Sequence, residues 1–153
     1  LSKPVLIGLH LGFAIVGIDA FLWLLGEFTS SAWRTKHLRI AAVAGVAGFT
    51  LSWIFGGYYY VVYYGSLVKP VIKSGLAHWA HNIIMETKEH IFLFIIPIAV
   101  TAAIIAFLKK AEFQSLNIRL QTFLLTGFVV VLGLTIGLAG FIISATALWG
   151  ALQ

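Results

Sequence analysis

Four stretches of this chain stay apolar long enough to cross a hydrocarbon layer of about 30 Å at about 1.5 Å per residue. They run near 4–26, 40–64, 89–108 and 120–149. Between them lie polar connections, GEFTSSAWRTKHLR, GSLVKPVIKSGLAHWAHNIIMETKE and KKAEFQSLNIR. The pattern predicts an all-α integral membrane protein, with four transmembrane helices in an up-down bundle and an amphipathic segment leading into the third. Residues 1–153 read as a single four-helix transmembrane domain. The run YYYVVYY is strand-like, but the alternating segments of a β-barrel do not recur along the chain. The first apolar run can span a bilayer and lacks a small-residue cleavage site, so it reads as a membrane helix rather than a signal peptide.

Composition agrees with this pattern. The chain is 61% hydrophobic and 10% charged, where a soluble domain is roughly a quarter charged. It contains no cysteine, which excludes disulfides, iron–sulfur clusters and covalently attached haem built from this chain. Any metal would depend on His, Asp, Glu or Met. The net charge of +5 does not point to nucleic acid, because the ten Lys and Arg lie in short runs flanking apolar segments. Arg34, Lys36, Arg39, Lys109, Lys110 and Arg119 fall on one side of the membrane; Lys3, Lys69, Lys73 and Lys88 fall on the other. This bias predicts both termini and the 65–88 connection on the outer side of a bacterial inner membrane or its equivalent. Tyr58, Tyr59, Tyr60, Tyr63, Tyr64 and Trp79 would form an outer aromatic belt, with Trp23 and Trp33 toward the inner one.

Small residues mark expected close approaches of helices: Gly8 and Gly12 in the first, Ala41, Ala44, Gly45 and Gly48 in the second, Gly133, Gly137 and Gly140 in the fourth. Asp19, near the middle of the first helix, shares a face with Gly8, Gly12 and Ile15, and is expected to point into a helix contact as a proton or packing site. Thr50 and Thr101 are its candidate hydroxyl partners at matching depth. An acid at that depth costs about 2.5 to 3.5 kcal/mol, so it needs a partner. His10 lies nine positions away, about half a turn around the helix, so the two cannot share one narrow site. Whichever of them faces inward, the other calls for a neighbour outside the bundle.

Residues 78–90 read HWAHNIIMETKEH and hold three of the five histidines and two of the five acids. At 3.6 residues per turn, His78, Asn82, Met85, Glu86 and Glu89 form a ridge, with His90 just beyond Glu86 and His81 on the other flank. Glu86 and His90 stand one turn apart, as a metal site or a carboxylate-oriented imidazole requires. The sequence is half of what a di-iron carboxylate bundle needs. The plainer reading is an interfacial lead-in whose acids pair with Lys69 or Lys73.

In size and histidine placement the chain resembles small four-helix membrane cytochromes and copper-resistance-type membrane proteins, a similarity of plan without a shared motif. That resemblance implies haem b or a transition metal. The expected cofactor ligands are His10, His81 and His90, and the expected metal set is His78, Glu86 and His90. His37, beside Arg34, Lys36 and Arg39, reads as a headgroup-level residue.

Three functions are consistent with these features. The first is a membrane subunit with an outer-side His/Glu site for electron transfer. The second is a structural or accessory subunit of a larger membrane complex with no cofactor of its own. The third is a small ion- or proton-conducting protein, which requires a homo-oligomer with Asp19 lining the contact and for which Pro97 near Thr101 would expose backbone carbonyls. Hydrolase and kinase signatures are absent from the sequence, which favours a non-catalytic subunit over a stand-alone enzyme.

Overall fold

Apolar runs in hydrocarbon must satisfy their backbone internally, and the helix does so within one segment. The computed structural model describes residues 1–152, and those residues form helices and no strand. Gln153, the last position of the expected domain, lies outside the described residues. Four helices are long and apolar enough to span a membrane: α1 (Lys3–Thr29), α2 (Thr35–Ser74), α3 (Ala80–Ile105) and α5 (Arg119–Gly150). The short α4 (Lys110–Leu116) lies between α3 and α5. Large apolar side chains point outward along every span, including Phe141 at 70% and Leu138 at 61% exposure, which is a lipid-facing surface rather than a hydrated one.

Two boundaries differ from the pattern-based expectation. The second helix does not stop near residue 64 but continues to Ser74, and the third begins at Ala80 rather than near 89. The expected long polar connection shrinks to the turn around residues 75–79. The physical reason lies in the winding. Tyr60–Val68 and Ala80–Met85 are π-helical, and the first stretch ends just before Pro70, whose ring cannot follow an ordinary α-turn without displacing the carbonyl four residues back. Wider turns upstream accommodate that displacement, so the helix survives the proline. At 40 residues α2 is about 60 Å long, about twice the hydrocarbon thickness. Gly75 then turns the chain with extended backbone, and a Cβ there would lie 3.7 Å from Cα of Gly150, so the end of α5 rests against this turn.

The tightest contact is between α1 and α2. A Cβ on Gly48 would lie 2.7 Å from the Gly17 nitrogen and 2.9 Å from the Phe13 carbonyl, so the two backbones meet with no space for a methyl group. Around this crossing Phe21 fills the space over Gly45, Phe49 packs on Gly17 and Phe21, and Ile18 occupies the space at Gly133 of α5. The small residues expected to mediate packing therefore divide. Gly45, Gly48 and Gly133 lie in contacts, whereas Gly8, Gly12 and Gly137 have nothing within 4 Å of an added Cβ.

Adding a methyl group where backbone meets backbone cannot be relieved by a rotamer change. Gly48→Ala should destabilise the isolated protein by about 1 to 3 kcal/mol, and Gly12→Ala should leave it unchanged. Unfolding of the purified chain in detergent, monitored by circular dichroism, checks both.

Candidate functional site

Hydrocarbon offers polar side chains no partner, so each one inside a span reports what the structure does with it. His10 points into the bundle from α1. Its Nδ1 lies 2.9 Å from the Ser52 carbonyl oxygen and 3.0 Å from Ser52 Oγ on α2. Ser52 is fully buried, and its hydroxyl donates to the His10 carbonyl at 3.0 Å, so the imidazole Nδ1–H is the donor to both serine oxygens. In the neutral ring this places the proton on Nδ1 and leaves the Nε2 lone pair over. Gly56 makes room for the ring; a methyl group there would overlap it.

The second polar site lies where the two π-helical stretches face each other. His81 is 4% exposed and its Nδ1 is 3.0 Å from the Tyr64 hydroxyl, itself buried. Tyr60 stacks on Tyr64 with ring centroids 5.2 Å apart, and its hydroxyl faces the Glu89 carboxyl. Glu89 Oε1 is buried without a hydrogen-bond partner. Tyr64 therefore belongs to the interior, not to the expected aromatic belt, while Tyr58 and Trp79 are exposed as that belt requires.

The expected ridge on residues 78–90 is split. His78, Asn82 and Glu86 are exposed, Met85 and His81 are buried, and Glu89 is half-buried. Arithmetic at 3.6 residues per turn does not carry across Ala80–Met85, because an i→i+5 turn holds more residues and rotates the helix beyond it. His90 is exposed, and its Nδ1 donates to the Glu86 carbonyl at 2.6 Å, so Glu86 orients it through backbone and not through its carboxylate. Among the described residues no three His, Asp or Glu side chains converge where they could hold one metal ion. His78, Glu86 and His90 are not brought together as one such group among the described residues. Glu86 and Glu89 make no ion pair with Lys69 or Lys73 among the described residues. Lys88 lies half-buried beside Gly140 of α5.

Asp19 is the largest departure. It is exposed on the outer face of α1, as are Gly8, Gly12 and Ile15, and no hydrogen bond to it is formed among the described residues. Thr50 and Thr101, its expected partners, instead donate to carbonyls of their own helices, those of Val46 and Pro97, each at 2.8 Å. With His10 inside, the carboxyl nine residues away must face out, because residues half a turn apart cannot both face the same neighbour.

Glu27 carries no signal in the apolar pattern, yet it is the most buried charge of the described residues at 1% exposure. Arg34 holds it with two bonds, Nε to Oε2 at 2.9 Å and Nη2 to Oε1 at 2.7 Å. Trp23 donates its indole N–H at 3.0 Å, and His37 Nδ1 lies 3.4 Å away. His37, 42% exposed at the start of α2, thereby borders this network. An acid closing a membrane helix shortly before a cluster of Arg and His was the available signal. Arg119 adds a bond to the Thr29 carbonyl at 2.9 Å, tying α5 to the same end.

No family model, curated protein or solved structure matches this chain.

Arg34→Ala leaves the Glu27 carboxylate buried and without its cation, and should destabilise the protein by about 3 kcal/mol; Glu27→Gln should have a smaller effect because the remaining Arg34 is half-exposed to solvent. Tyr64→Phe strips His81 of its partner and should lower stability by about 1 to 3 kcal/mol. Detergent unfolding curves of the three variants against the unaltered chain measure each.

Proposed function

We propose that this chain is an integral subunit of a larger membrane complex, held to its neighbour through the outer face of α1. Asp19 carries the reading. A carboxyl exposed within an apolar span meets only lipid in the isolated chain, at a penalty of about 2.5 to 3.5 kcal/mol even on the lenient scale. Gly8 and Gly12 leave the same face shallow, so another helix can approach backbone to backbone and bring a donor to the carboxyl. The fitting occupant is a transmembrane helix with a Lys, Arg or amide side chain at the depth of Asp19. Such an interface makes the neighbour, not the bilayer, the solvent for this acid.

Purification from the native membrane in mild detergent should recover a second membrane protein with this chain. Asp19→Leu should lower that recovery about tenfold or more, equivalent to about 1.4 kcal/mol, while the variant alone stays at least as stable as the unaltered chain. Recovery of the chain alone, or an unchanged yield of partner with Asp19→Leu, would sink the proposal.

A second reading, electron transfer through haem b or a metal, is favoured by the two histidine tautomers. His10 and His90 each donate Nδ1–H to a backbone carbonyl, which is the arrangement that holds an imidazole with Nε2 available to a metal. His90 is exposed on α3, so a cofactor bound there would be open to a further ligand from a neighbouring subunit. The two readings are compatible, since a subunit can share a cofactor with its neighbour. An absorption spectrum of the purified complex decides it: a Soret band abolished by His10→Ala or His90→Ala and retained in His37→Ala supports the cofactor, and a colourless, metal-free complex removes it.

A further inference from the structure

We infer that the groove between the end of α1 and the start of α5 is a binding site for the phosphate of an anionic phospholipid. The groove has a volume of about 510 Å³, within the range of small-ligand sites. Its polar wall is Arg119, Asn117 and Gln121, and its apolar wall includes Leu120 and Phe123. Both helices end here, at Thr29 and Arg119, which places the groove at headgroup level.

Three features suit it to a lipid phosphate. First, Arg119 spends one nitrogen, Nη2, on the Thr29 carbonyl, which tethers the guanidinium at the mouth while Nε and Nη1 have no partner among the described residues. It has no acidic partner among the described residues, because the two acids at this end are committed: Glu27 to Arg34, and Glu112 to the Lys109 backbone N–H at 2.8 Å. A planar fork with free donors matches phosphate oxygens. Second, Asn117, which closes α4 in the left-handed conformation at φ 51°, lines the same groove as Arg119, and Gln121 adds a further amide. Third, Leu120 at 64% and Phe123 at 44% exposure continue the groove down the outside of α5, where acyl chains run. A free anion would use the polar wall alone; a phospholipid uses both. This end of the bundle also carries six of the ten Lys and Arg, which raises the local concentration of anionic lipid.

Native mass spectrometry of the full chain in detergent, with phosphatidylglycerol, phosphatidylcholine or inorganic phosphate added, tests the site. The unaltered chain should retain phosphatidylglycerol more strongly than phosphatidylcholine, and inorganic phosphate should not displace it. Arg119→Gln should lower retention about fivefold, the effect of one cation at a membrane surface, and Lys110→Gln, on the same side but outside the groove, should not. Equal retention in Arg119→Gln, an equal loss in Lys110→Gln, or displacement by inorganic phosphate at matched concentration would each overturn the inference. If Arg119→Gln does not accumulate, Gln121→Glu serves: it places a like charge beside the phosphate at an exposed position, so lost lipid supports the site and unchanged retention refutes it.

Discussion

The hydrocarbon interior supplies no hydrogen bonds, and this constraint sorts most polar side chains of the described spans, the buried hydroxyls of Thr122 and Thr126 being left without a partner. Threonines 50, 101, 135 and 146 bond carbonyls of their own helices. His10 is shared with Ser52 on a second helix, and His81 with Tyr64. Glu27 is enclosed by Trp23, Arg34 and His37. Asp19 is left with no partner among the described residues, and its place on α1 results from the inward placement of His10. The chain has settled one polar demand of this helix internally and exported the other.

The backbone approach at Gly17 and Gly48 makes the internal settlement possible. Because α1 and α2 touch there without intervening side chains, Ser52 comes within reach of His10 one turn further along, and Phe21 and Phe49 stack over the crossing with centroids 5.6 Å apart. At one end of the bundle the Glu27 network and the Phe28, Trp33 and Phe113 cluster bind α1, α2, α4 and α5 together. At the other, the helices are held less by charge than by winding: two π-helical stretches bring Tyr60, Tyr64, His81 and Glu89 to one place. An orphaned carboxylate oxygen on Glu89 in that cluster sets it apart from the sealed network around Glu27. The two ends thus have different chemistry, one closed by ion pairing and one built on a buried tyrosine–histidine pair.

Several of these features were legible in the residues alone. The apolar runs locate the four spans, the absence of cysteine removes whole classes of cofactor, and the half-turn separation of His10 from Asp19 requires that they part company. Other features were not. The extension of α2 through Pro70 depends on π-winding, which leaves no compositional mark, and the same winding displaces the ridge read from residues 78–90. Glu27 looked like part of a polar loop because its partners, Arg34 and His37, lie across a turn in the next helix.

What the sequence determined by itself is the medium and the number of crossings, since both depend on hydrophobicity summed over segments, a quantity blind to which face of a helix meets which. The tertiary structure decided direction: His10 inward and Asp19 outward, Gly48 in contact and Gly12 bare, His81 buried and His90 exposed. Direction depends on helix rotation. That rotation is set by the few positions where backbones touch and by local changes in helical pitch, and neither is written in the periodicity of any one segment.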